Sequence, residues 1–190
     1  MYIIGINAFH GDSSACLLKD GLLIAAAEEE RFRRIKHWAG FPSEAIRWCL
    51  LEAGISLEDV QHIALNQDPT ANLGKKIMYT LNKRPSFKML LDRFKNKRKR
   101  TGVVDHLISA FPESKFTGTV HAVEHHSAHL SSAFHVSPFE ESVVVSVDGF
   151  GDFASSAWGV GYGTKIDIEN QVYFPHSLGI FYQALTQFIG

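Results

Sequence analysis

The sequence predicts an α/β fold assembled from two related halves, and three observations carry that prediction. An apolar hairpin opens the chain, a helix with clear start and stop signals follows it, and a second apolar hairpin of the same kind recurs after residue 140.

Tyr2 to Asn7, Ala15 to Leu18 and Leu22 to Ala27 are short apolar runs. The polar loop Phe9-His10-Gly11-Asp12-Ser13-Ser14 and the turn Lys19-Asp20-Gly21 part them, so three antiparallel strands are expected. After Pro42-Ser43, Ile46, Cys49, Leu50 and Ala53 recur at helical spacing and Gly54 stands where a helix stops. Val60 to Leu65 reads as a fourth strand, Asp105 to Phe111 as a helix, and Gly118 to Val123 as a strand feeding a histidine-bearing helix. The second hairpin is Val143 to Val147, a turn Asp148-Gly149-Phe150-Gly151-Asp152, and Ala154 to Gly161. Both hairpins are an apolar strand, a turn rich in Gly, Asp and Ser, and a second strand, which makes a weak internal repeat.

A chain of 190 residues suits one domain. With 19 basic against 20 acidic residues and 45% hydrophobic content, no global field draws it to nucleic acid or membrane. Residues 70–100 turn polar and end in Lys95-Asn96-Lys97-Arg98-Lys99-Arg100. They read as a basic helical insertion, either simply solvated or presenting a face to phosphate or a partner, with too few aromatics to argue nucleic acid. Cys16 and Cys49 fall in strand and helix interiors and read as core residues. The first residues lack a basic export signal, and no apolar run approaches ~18 residues, so a cytoplasmic location is expected.

Within VEHHSAHLSSAF, His125 and His129 are four apart and share a helix face, while His126 is rotated by about 100°. Two converging imidazoles are either buried structural residues or metal ligands. The residues between them are His-Ser-Ala, so the glutamate of the zinc protease pattern is missing. Asp148, at the end of an apolar strand, is the candidate third ligand, and two histidines with a carboxylate suit iron, zinc or manganese. In the first loop, Asp12, Ser13 and Ser14 either form a plain turn or approach a phosphate, and His10 is the candidate general base. The charged run Glu28 to His37 is either a solvated helix start or a substrate-binding loop, in which Glu29, Arg31 and Lys36 would contact substrate.

Taken in order, GINAFHGDSSACLL, AAAEEERFRRIKH, FPSEAIRWCLLEAGISLEDV, VEHHSAHLSSAF, VVVSVDGFGD and SLGIFYQALTQFIG resemble the O-carbamoyltransferase family of nodulation and antibiotic-tailoring enzymes. The resemblance runs the length of the chain and is weaker through the basic insertion. It implies the actin, Hsp70 and sugar-kinase fold, whose two RNase H-like halves each open with a hairpin turned toward nucleotide phosphate, so that Gly149 and Gly151 would let the second hairpin approach the adenylate phosphate. The chain would hold the first half and, from residue 142 to 190, the start of the second. It also implies a metal on His125, His129 and Asp148, with a further aspartate ligand and a carbamoyl-adenylate-forming domain beyond residue 190.

The implied activity is transfer of a carbamoyl group, drawn from carbamoyl phosphate and ATP through carbamoyl-adenylate, to a hydroxyl of a small acceptor. Iron or zinc is the implied resident metal, with Mg²⁺ accompanying ATP, and neither nucleic acid nor membrane is a partner. Two other readings compete. One is a kinase or ATPase of the same fold, which needs Mg²⁺ and has no use for the histidine pair. The other is a non-catalytic nucleotide-binding module, and the 190 residues by themselves are expected to turn nothing over.

Overall fold

A computed structural model describes residues 1–83 and 102–190. The basic run Lys95 to Arg100 therefore lies outside the described residues. The chain divides into two compact units, one of residues 1–66 and 85–122, the other of 67–84 and 123–190. Each is an α/β body led by an antiparallel hairpin, the α/β class expected from the sequence.

In the first unit, β1 (Tyr2–Asn7), β2 (Ser14–Lys19) and β3 (Leu22–Glu28) form the expected antiparallel meander. β4 (His62–Leu65) and β5 (Thr119–Ala122) extend it in parallel beyond β1, giving the order β3-β2-β1-β4-β5. Parallel neighbours need long crossovers. Between β1 and β4 the chain forms α1 (Glu30–Arg33) and α2 (Ser43–Ala53), and before β5 it forms α4 (Val103–Ala110). α2 buries Ala45, Ile46, Cys49 and Leu50 against Ile4, Ala15, Leu17 and Ile63 in the core of this unit. It stops at Gly54, whose left-handed backbone (φ 64°) returns its N–H to the carbonyls of Leu50 and Leu51.

Glu29 sits at the start of α2 instead of facing substrate. It is 0% exposed, its Oε2 accepts from the Ala45 amide at 2.8 Å, and its Oε1 accepts from Arg33 Nε at 2.7 Å and the Glu44 amide at 3.3 Å. The open amides of a helix N-terminus attract a carboxylate, so a residue 14 positions upstream of Ser43 serves as the cap that Pro42 cannot provide. Removing the carboxylate in Glu29→Ala is expected to cost about 2–3 kcal/mol. Urea unfolding would register this, and an unchanged midpoint would show that the cap contributes nothing.

In the second unit, β6 (Glu141–Gly151), β7 (Ala154–Tyr162) and β8 (Lys165–Tyr173) form an antiparallel meander. α5 (His125–Phe134) packs Leu130 and Phe134 on Val144 and Ala157. α3 (Leu73–Lys83) brings Tyr79 edge-on to Phe153 and Phe174, and α6 (Leu178–Ile189) lies against β6. β8 was not apparent in the sequence because its residues, KIDIENQVY, are largely polar.

The turn of the second hairpin is shorter than the five residues expected. Asp148, Gly149 and Phe150 stay on β6 as an irregularity between Val147 and Gly151, and Gly151 pairs with Ala154. The connection is Asp152-Phe153 alone, with φ of 48° and 75°, the left-handed pair that matches strand twist in a two-residue turn. Among the described residues no helix is long and apolar enough to cross a membrane.

Candidate metal centre

α5 begins at His125, so His125 and His129 occupy successive turns of one face and both reach β6. His125 Nε2 lies 2.8 Å from Asp148 Oδ2 and 3.0 Å from His129 Nε2, and His129 Nε2 lies 3.6 Å from the same oxygen. Bonds of about 2.0–2.1 Å to one cation would place ligand atoms about 2.9–3.4 Å apart, depending on the bond angle. Hydrogen bonds serve such a triangle poorly, because the carboxylate has no hydrogen and each neutral imidazole brings one. A single divalent cation would serve all three lone pairs. The donor set therefore fits a metal of the iron or zinc kind, with His125 buried and His129 and Asp148 facing solvent, where further ligands can enter.

The protonation states suit this use. Burial holds His129 below its ordinary 6.5, the charge of His125 adds to that, and Asp148 pulls the other way. Burial raises Asp148, but hydrogen bonds from His125 and the Gly149 amide, with the charges of both histidines, leave it below the ordinary carboxylate value. Near pH 7 the imidazole of His129 is thus neutral and the carboxylate ionised, the forms that bind metal. Metal affinity is expected to stay level down to about pH 6.5 and to fall as His129 takes a proton below it. The metal-free chain should lose stability over the same range, since the unfolded chain protonates first. Titrations with Zn²⁺ across that pH range check the first, and an affinity unchanged well below 6.5 would remove His129 from the ligand set.

His126 points away as its spacing predicts. It is 0% exposed, with Nδ1 at 2.9 Å from the Ser146 hydroxyl on β6. Gly151, expected at a phosphate, lies under the His125 ring, where a Cβ would collide with the ring atoms. Gly149 has room, since a Cβ there would meet only Ile180 Cδ1 at 3.7 Å.

Three residues that build the centre were missed by sequence reasoning. Asp152 Oδ2 accepts from the His125 amide at 2.9 Å and the Asp68 amide at 2.8 Å, tying the start of α5 to the hairpin tip. Ser177 Oγ lies 3.1 Å from the Asp148 carbonyl and 2.8 Å from that of Gly149, and accepts from the Ile180 amide as the cap of α6. Gly179 lets that helix start rest on the Asp148-Gly149 backbone, for a Cβ would stand 2.6 Å from the Asp148 carbonyl carbon. Ser before a helical run is a readable cap signal, whereas nothing in the sequence says what a cap leans on.

In the first unit, Ser13 is buried and its hydroxyl lies 2.7 Å from the Gly40 carbonyl and 3.2 Å from that of His10, so it fastens the loop instead of facing outward. Ser14 is the first residue of β2, paired with Asn7 and Glu28. Asp12 is exposed and its Oδ1 lies 2.9 Å from His37 Nδ1. Arg31 is exposed, 3.7 Å from Glu28, and Lys36 is exposed.

A family described as carbamoyltransferase N-terminus matches residues 2–190. Uncharacterized protein sll1178 of Synechocystis sp. is 36% identical over 196 residues, which cover 100% of this chain and 32% of that protein. Nodulation protein NolNO of Sinorhizobium fredii is 35% identical over 186 residues, 97% of this chain and 26% of that protein. The chain thus spans a third or less of the length of these relatives. Among solved structures, YeaZ from Pseudomonas aeruginosa aligns with a TM-score of 0.49 at 17% identity, covering 92% of this chain and 67% of that one. A family match over nearly every residue, and relatives that align along the whole chain, place it without ambiguity: it belongs to the carbamoyltransferase N-terminus family.

Proposed function

We propose that this chain is the part of an O-carbamoyltransferase that carries the metal centre and meets the hydroxyl acceptor. The observation that supports this most is the convergence of His125, His129 and Asp148 within 4.8 Å in a chain of that family. The donor is carbamoyl-adenylate made from carbamoyl phosphate and ATP, and the acceptor is a small hydroxylated molecule.

The reaction is an acyl transfer, so a hydroxyl must give up a proton and a carbonyl oxygen must gather negative charge. A metal held by His125, His129 and Asp148 would supply Lewis-acid polarisation or an anchor for phosphate. The chain's own residues do the rest. Gly149 leaves space for a phosphate, and the exposed Arg31 and Lys36 offer charge to the anionic donor. The hydroxyl proton goes to a histidine of the region around the first loop, for which the sequence names His10.

The test is to supply the intact, metal-loaded protein with ATP and carbamoyl phosphate and identify the products. Release of AMP and pyrophosphate, dependent on carbamoyl phosphate, is the expected result. Release of ADP with a phosphorylated acceptor, independent of carbamoyl phosphate, would replace the reading with a kinase.

A further inference from the structure

The first unit holds a second histidine whose setting is that of a base. Asp12 Oδ1 lies 2.9 Å from His37 Nδ1. A carboxylate only accepts, so the imidazole must present its Nδ1 hydrogen there and keep its lone pair on Nε2. The side chains are 79% and 57% exposed, so Nε2 is open to an incoming hydroxyl.

An exposed ion pair is usually two mobile side chains that contribute little to stability. This one joins two loops that are clasped together. The Ser13 amide donates to the Trp38 carbonyl at 2.9 Å, the Phe9 amide to the Gly40 carbonyl at 3.3 Å, and the Ser13 hydroxyl reaches Gly40 at 2.7 Å. Asn7 Nδ2 donates to the Asp12 carbonyl at 2.9 Å, and Asn66 holds Asn7 at 3.1 Å. Asp12 and His37 both have left-handed backbone, with φ of 63° and 54°. Left-handed backbone is uncommon for non-glycine residues, though Asp and His adopt it more readily than most.

We infer that His37, oriented by Asp12, is the general base that takes the acceptor's proton, the role that the sequence assigns to His10. This rests on the carbamoyl-transfer reading. As the hydroxyl oxygen bonds to the carbamoyl carbon, its proton passes to His37 Nε2. The bond from that carbon to the phosphate oxygen breaks, AMP leaves with the electron pair, and the imidazolium later gives its proton to water. Asp12 acts through His37 and is a positioning residue.

Two measurements test it. In ¹⁵N-histidine-labelled protein at neutral pH, His37 should carry its hydrogen on Nδ1, and Asp12→Gly, which suits the left-handed backbone, should release it into a mixture of tautomers. In the intact, metal-loaded protein given ATP and carbamoyl phosphate with water as the hydroxyl, His37→Asn and His37→Gln should each slow AMP release by ~10²–10⁴-fold. Melting curves of the two variants identify a failure to fold. A His37 hydrogen on Nε2 in the wild type, or wild-type AMP release in a folded His37 variant with the loss found in His10→Asn instead, would overturn the assignment. No AMP release by the wild type would bring down the carbamoyl-transfer reading and the base role with it, while the Nδ1 tautomer would survive as a structural pair.

Discussion

Replacing His125 by alanine is expected to empty the metal centre, taking iron or zinc from about one ion per chain to none after dialysis. Three protein donors converge there, and His125 stands in the middle, within 3.0 Å of both others. Losing it leaves one imidazole and one carboxylate 3.6 Å apart on a solvent-facing edge, too few to hold a transition metal against water. Losing an outer partner of a ligand commonly costs 10–100-fold in affinity, so loss of the central ligand should cost more than about 100-fold. Elemental analysis beside a His129→Ala variant reads this directly. Equal metal in wild type and both variants would make the histidines structural.

Gly151→Ala should disable the same centre without replacing a ligand. The added methyl would occupy the space of the His125 ring, overlapping its Cδ2, Cγ and Nε2, so the imidazole must swing away from Asp148. Overpacking of this kind costs about 1–3 kcal/mol, and the displaced ring should lose metal nearly as completely as His125→Ala does. Gly149→Ala is the internal comparison, since its methyl meets only Ile180 at 3.7 Å. A Zn²⁺ titration of the two variants separates them. Wild-type affinity in Gly151→Ala would show that the ring has room to shift and still bind.

The sequence announced the elements whose signals are local. Alternating apolar runs marked β1 to β3, helical spacing with Gly54 marked α2, and the four-residue interval placed His125 and His129 on one face. What it concealed depends on partners far along the chain. Glu29 looks like one acid among three, yet it is buried because α2, which begins 14 residues later, turns its open amides toward it. Gly151 looks like a phosphate-loop glycine, and its smallness serves a histidine 26 positions earlier. Asp12 and His37 are 25 residues apart and meet because backbone hydrogen bonds clasp their loops, a pairing that spacing cannot encode. Charge and size are written in the residue, but what each is matched against is decided by the fold.

His125, His129 and Asp148 all belong to one of the two units, and no residue of the other stands among the three donors. The thermodynamic linkage is therefore lopsided. An ion that binds only the folded state adds about 2.7 kcal/mol at a hundred times its dissociation constant, and that increment enters through the unit of residues 67–84 and 123–190. On heating, saturating metal should delay exposure of amides on β6 and α5 to hydrogen exchange more than of those on β1 and α2, so the ion would act as a tag that reports on half of the chain.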